Sequence, residues 1–237
     1  MVQKVTSSET ILFFDTGPII TLVMSRLAHL LLELKKKMNG HFYITPAVKY
    51  ELIDRPLTVR RFEFEALQVI KMIRDGVLEV YENVPRQNVS ELIELANTSF
   101  RLDGKTMDVI QEGEMESIAT ALQIGAAGVV MDERTLRLFI ENNRDMKALL
   151  EMRFQKTVTP DLKKMDAFSS KLQDVTIIRS IELVGVAYRL GLLDDYIPDG
   201  KNGREQLLDA VLWNTKFNGC AVTEEEIQEL KQFLLKR

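Results

Sequence analysis

Residues 11–20 read ILFFDTGPII, and the order of residue types in this stretch decides the fold class. Ile11, Leu12, Phe13 and Phe14 are apolar without alternation, which suits a strand buried on both faces of a parallel sheet. Asp15 stands at its carboxyl end. Pro18 fits a first helical turn, where its missing N–H costs nothing, so a helix is expected at once. That helix should continue through the apolar run from Ile19 to Lys35, Lys36 and Lys37 and stop at Asn39-Gly40.

Working outward, the same alternation repeats. Residues 41–45 (HFYIT) read as a strand, followed by Pro46 and a helix containing Glu51 that breaks before Pro56. A helix over 59–74, a short strand over 78–81, and helices over 89–101 and 114–124 follow. Residues 128–131 form a third apolar strand ending in Asp132, with a long helix to about Arg153. An irregular or partly helical insertion is expected at about 154–174, then a strand over 175–178 and helices over 180–193, 203–215 and 224–237. Strands alternating with helices predict an α/β fold, a three-layer α/β/α sandwich with a central parallel sheet. The division expected is a domain over 1–195 and a C-terminal helical extension over 196–237 packed on the same domain.

Composition narrows the class. With 237 residues, 46% hydrophobic and 28% charged, and only 12 Gly and 6 Pro, the chain is neither disordered nor fibrous. The 35 acidic and 31 basic residues give a net charge of −4, so a nucleic-acid partner needs a local basic face. A single cysteine, Cys220, excludes internal disulfides and thiolate zinc sites and fits a cytoplasmic setting. The most membrane-like stretch, residues 17–34, carries Arg26 and His29, so it reads as a core helix with His29 packed inside. The N-terminal residues lack the apolar run of an export signal.

The acids carry the chemistry. In open parallel sheets ligands bind outside the carboxyl ends of the strands, so acids there are close in space though distant in sequence. Asp15 and Asp132 hold such positions, Glu51 lies early in the helix after the second strand, and Glu114 opens the helix before the third. Carboxylates gathered in one cleft repel unless a divalent cation neutralises them, and oxygen ligands suit Mg²⁺ or Mn²⁺. Each acid also has a plain structural use: Asp15 can cap a helix, and Glu51 can pair with Arg55 four residues on.

Four segments, FFDTGPII at Asp15, ITPAVKYEL at Glu51, EGEMESIATALQIGA at Glu114 and VVMDERTLR at Asp132, together resemble the PIN-domain ribonuclease family. The segment TIIRSIELVGVAYRLGLL is similar to that family's last strand and helix, so the likeness spans about residues 10 to 195. The resemblance implies a five-stranded parallel sheet of order 3-2-1-4-5 and catalytic acids at Asp15, Glu51, Glu114 and Asp132. It implies Mg²⁺ or Mn²⁺ held by Asp15, Glu114 and Asp132, with Glu116 kept as a further ligand candidate and Glu133 as an auxiliary one. Ser180 stands where relatives carry a Gly-Thr-Leu-Gly type sequence and retains a hydroxyl there.

The activity implied is endonucleolytic hydrolysis of single-stranded RNA by a metal-activated water, with no side-chain nucleophile. Arg55, Arg60, Arg61, Arg134, Arg137 and Ser180 are the candidate substrate contacts. Alternatives are a non-catalytic PIN-fold scaffold that binds RNA or protein, and a toxin with an antitoxin partner, against which the C-terminal extension speaks. Leu30, Leu34, Leu207 and Leu234 read as surplus apolar surface and suggest a homodimer.

Overall fold

The computed structural model describes residues 9–141 and 145–236. In chain order, β1 (Thr10–Phe14) leads to α1 (Thr16–Met24) and α2 (His29–Met38), and β2 (Gly40–Ile44) to α3 (Pro46–Lys49). A widened π-helical turn (Tyr50–Asp54) and α4 (Glu63–Arg74) come next, then β3 (Glu79–Val80), α5 (Arg86–Asn97), β4 (Phe100–Leu102) and β5 (Lys105–Thr106). After α6 (Glu112–Ile124) follow β6 (Gly128–Val130), α7 (Arg134–Glu141), α8 (Met146–Phe154), β7 (Val158–Pro160) and α9 (Leu162–Leu172). The chain ends with β8 (Ile177–Ile178), α10 (Ser180–Arg189), α11 (Gly203–Phe217) and α12 (Glu224–Leu235). Residues 1–8, 142–144 and 237 lie outside the described residues; the N-terminal residues read for an export signal, the middle of the long helix after Asp132 and the end of the last helix include them.

The main sheet has five parallel strands in the order β3-β2-β1-β6-β8, which is 3-2-1-4-5 when its strands are numbered along the chain. β1 is paired on both sides, Leu12 lying opposite Phe42 and Gly128, and Leu12, Phe13 and Phe14 of its apolar run are fully buried. The two-residue period of a strand splits that run between two cores. Leu12 and Phe14 join Phe42, Ile44 and the helices of one face; Phe13 joins Val129, Met131 and those of the other. Helices on both faces are compatible with a three-layer sandwich.

Several local expectations are corrected. The apolar stretch 17–34 is two helices, because α1 ends in a Schellman motif: Arg26 N–H donates to Val23 O (3.0 Å) and Leu27 N–H to Leu22 O (2.8 Å). Arg26 takes the left-handed conformation there (φ 60°), a position usually given to glycine, so no residue type announces the break. His29 is exposed at the start of α2 rather than packed inside. No helix among the described residues is long and apolar enough to cross a membrane.

Residues expected to end α5 instead form β4, and part of the expected irregular insertion forms β7 and α9. β4 pairs antiparallel with both β5 and β7 in a second, three-stranded sheet. Its hairpin turn is Asp103-Gly104, both with positive φ (51° and 80°), the pair that a two-residue turn of this hand favours. α4 begins at Glu63, four residues later than the pattern suggested.

The C-terminal helices complete the main core. Leu207, Leu208 and Leu212 belong to the same buried cluster as Leu12 and Phe14. Leu30, Leu34, Leu207 and Leu234 are all buried within the chain, so the surplus apolar surface expected of them does not exist. Because Leu208 is fully buried, Leu208→Ala should destabilise the protein by about 2–5 kcal/mol. Chemical denaturation should still show one transition, and a separate transition for the C-terminal helices would contradict the shared core.

Candidate functional site

A cleft of about 390 Å³ opens at the carboxyl edge of the main sheet, and Asp15, Glu51, Glu114, Asp132, Glu133 and Arg134 all line it. It lies beside β1 and β6, the neighbours at which the strand order reverses, where parallel sheets leave a crevice. Asp15 follows β1 directly and caps α1, its Oδ2 accepting from Gly17 N–H at 3.4 Å. A Cβ on Gly17 would stand 3.6 Å from Asp132 Cβ and 3.7 Å from Asp15 Oδ2, so position 17 lies beside both aspartates.

Asp132 is held from two helices. Ser180 N–H donates to Oδ1 (2.8 Å), while Ser180 Oγ (2.7 Å) and Thr21 Oγ1 (2.9 Å) donate to Oδ2. Glu51 rides on the π-helical turn after α3, and its Oε2 accepts from Thr16 Oγ1 at 2.6 Å. Its Oε1 would lie 3.3 Å from a Cβ on Gly113, the residue that precedes Glu114, so both glutamates reach the start of α6. Glu114 turns back to accept from Gln111 N–H at 2.8 Å.

Burial pushes the Asp15 carboxyl up from 3.8 to about 6; the Thr16 and Gly17 amides oppose the rise, and the charges of Glu51 and Asp132 add to it. Glu114 is pushed up from 4.5 to about 8, again chiefly by burial and then by Asp15, against the Gln111 amide. Among the described residues no ion pair involves Asp15, Glu51, Glu114 or Asp132. Their donors are hydroxyls and backbone amides.

Of the other sequence candidates, Glu133 and Arg134 line the cleft and the rest do not. Glu116, fully buried, accepts from Ala47 N–H (2.9 Å) and pairs with Arg86, in a hollow that Arg55 also lines. Arg60 and Arg61 are exposed before α4, Arg61 lying over the Phe62 ring. Arg137 is directed to the C-terminal segment, donating to Glu226 Oε1 and Ala221 O, both at 3.4 Å. Glu133 accepts from Thr135 N–H and Oγ1 at the start of α7. Ser180 is fully buried beneath Asp132, so it orients that acid.

Sequence reasoning missed Thr16, Thr21 and Gln111, hydrogen-bond donors with no spacing signature. It also missed the C-terminal wall: Gly219 and Ala221 line the cleft, and Cys220 is buried behind it. Burial and then the Asp132 charge push the Cys220 thiol up to about 12, keeping it neutral. Gly219 has φ 137°, and a Cβ there would meet Thr21 Oγ1 at 2.8 Å. Any side chain at 219 would therefore disturb a donor to Asp132.

The donor set is all hard oxygen, which in kind suits Mg²⁺, Mn²⁺ or Ca²⁺. Among the described residues, however, no group of three or more His, Cys, Asp or Glu side chains is arranged to hold a metal ion. Each carboxylate is drawn to a donor of its own. Comparison of the chain with models of known protein families, with curated proteins and with solved structures finds no match.

Because the folded pKa values of Asp15 and Glu114 are raised, stability from these groups is fully present below about pH 4. It is lost as pH rises through about 6 and then about 8. A two-unit shift corresponds to about 3 kcal/mol. Without divalent cations, melting temperature should fall from pH 5 to pH 8.5. Asp15→Asn should remove the part of that fall that is complete near 6 and Glu114→Gln the part that continues to about 8, as thermal melts across pH would reveal.

Proposed function

We propose that this chain is a divalent-cation-dependent endoribonuclease of PIN-like fold that hydrolyses phosphodiester bonds of single-stranded RNA. One observation carries the reading: Asp15, Glu51, Glu114 and Asp132 reach one cleft from four separate segments, and no basic side chain of the described residues pairs with them. Like charges so gathered are costly, and a cation is the usual answer to that cost. Asp15, Glu114 and Asp132 are the residues that would hold Mg²⁺ or Mn²⁺, with Glu51 beside them. Such an ion, when bound, lowers the pKa of a water and balances charge on the phosphate.

The chain's own part is positioning. Thr21 and Ser180 fix both oxygens of Asp132, Thr16 orients Glu51, and the Gln111 amide holds Glu114 toward the cleft. Arg134 lines the cleft, Arg55 lines the neighbouring hollow that Glu51 shares, and Arg60 and Arg61 are exposed between that hollow's segment and α4 in the chain. Cations in these places suit contacts to a flexible phosphate backbone, which are electrostatic and independent of base sequence. Cytoplasm, where a lone thiol stays reduced, is the proposed setting.

A second reading, a PIN-fold scaffold that binds RNA without cutting it, is favoured by the lack of a ready three-ligand cluster among the described residues. A labelled single-stranded RNA separates the two. A nuclease should cut it with Mg²⁺ or Mn²⁺, stop in chelator, and lose about 100-fold or more in rate as Asp15→Asn or Asp132→Asn. Asparagine caps a helix about as well as aspartate, so the Asp15→Asn protein should melt no lower than wild type in the absence of cation. RNA binding that ignores chelator, with no cleavage at any cation concentration, would establish the scaffold instead.

A further inference from the structure

A second cavity, of about 600 Å³, lies at the opposite end of α1 from the acidic cleft. α1 has 9 residues, which puts the two sites roughly 14 Å apart along its axis. The elbow between α1 and α2 forms one side, the chain from Leu193 to Pro198 another, and α11 the third. The volume is within the range of small-molecule sites, about 300–1,000 Å³. Its lining is largely apolar, with Leu27, Leu193, Leu207 and Val211 each buried.

Two polar features in that lining have no use within the fold. Ser25 is only 6% exposed, and among the described residues its Oγ has no hydrogen-bond partner. The Ser25 carbonyl is already engaged by Asn214 Nδ2 at 3.1 Å, so the hydroxyl alone is left over. A buried hydroxyl without a partner is destabilising, and such groups in folded proteins call for a ligand or water. Arg26 lines the same cavity, and among the described residues its guanidinium is in no ion pair. Of the acids in the neighbouring segments, Asp194 is engaged by Arg204 and Asp209 by Lys231. Arg26 also holds the left-handed conformation that costs any residue but glycine, so this turn places a cation where a glycine would serve the backbone better.

We propose that this cavity binds a small organic monoanion, its carboxylate or sulfonate set against Arg26 and the Ser25 hydroxyl and its apolar body among Leu27, Leu193 and Leu207. A single anionic group matches the single guanidinium, and charge-assisted hydrogen bonds to a planar fork favour carboxylate-like geometry. The apolar lining supplies the remaining affinity by burial. The site exists because the C-terminal extension packs against the elbow.

Anilinonaphthalene sulfonate, an aromatic monoanion, is a suitable probe for fluorescence titration of the full chain. One saturable site per chain is expected, emptied by octanoate and not by octylamine. Arg26→Gln should weaken binding about tenfold or more, the loss of a charge-assisted contact. Ala210→Trp, at an exposed position of the wall, should block it. Ser25→Ala should act in opposite directions, weakening the probe severalfold while raising the ligand-free melting temperature, because the unpartnered hydroxyl is gone. Arg26 is exposed, so its variant decides the matter even if a wall variant fails to fold. Undiminished binding in Arg26→Gln, competition by octylamine equal to that by octanoate, or no saturable binding at all would overturn the proposal.

Discussion

Repulsion among carboxylates at the carboxyl edge of the parallel sheet is the constraint that the neighbouring elements answer. Placing β1 beside β6 puts Asp15 and Asp132 on either side of Gly17, and α6 brings Glu114 to the same cleft. Three helix N-termini meet these acids: Asp15 caps α1, Glu114 sits in the first turn of α6, and the Ser180 amide that opens α10 binds Asp132. The positive end of a helix dipole favours negative charge, and it does so without supplying a counter-ion that would cancel it. Hydroxyls do the rest, from Thr16, Thr21 and Ser180. The amides at these helix starts oppose the rise that burial forces on Asp15 and Glu114 and do not overcome it.

The C-terminal extension serves the same constraint from behind. Glu226, in the first turn of α12, accepts from Arg179 (2.6 Å) and Arg137 (3.4 Å), tying this helix to the start of α10 and to α7. Burial works against the charge on Arg179, yet Glu182 and Glu226 together raise its pKa. This ionic clamp fixes the loop through Gly219, Cys220 and Ala221 against Thr21 and Asp132. Arg137 thus belongs to the clamp, and the basic side chain it was expected to offer to a substrate is spent on holding the cleft wall.

The central strands and their acids were legible because a strand buried on both faces needs an unbroken apolar run, and an acid ending such a run is conspicuous. Helix ends marked by usual residues were legible too: Gly125 closes α6 in the left-handed conformation, and Thr223 with Glu226 caps α12. The break after α1 was not, because Arg26 does what glycine ordinarily does. β4 and β7 are three residues each, too short to show a period, and the Asp103-Gly104 turn was the one local sign of them. The donors to Asp132 were invisible for another reason: Thr21 lies 111 residues away and Ser180 lies 48, and a hydroxyl on a helix has no spacing that points to a distant acid.

Glu114 and Glu116 show what distinguishes a site from a buried charge. They lie in one turn of α6, and both are nearly or wholly buried. At about 100° of rotation per residue, two positions apart puts them on nearly opposite sides of the helix, which their spacing alone could not reveal as a choice between them. Glu116 turns to Arg86 and the Ala47 amide, where a guanidinium balances its charge inside the chain. Glu114 turns to the cleft and receives one backbone amide, with burial first and then the Asp15 charge raising its pKa. Burial is common to both; among the described residues, the lack of a cationic partner distinguishes Glu114. The fold places an arginine against Glu116 and, among the described residues, none against Glu114, so within one helical turn one buried carboxylate has a cationic partner in the chain and the other opens to the cleft without one.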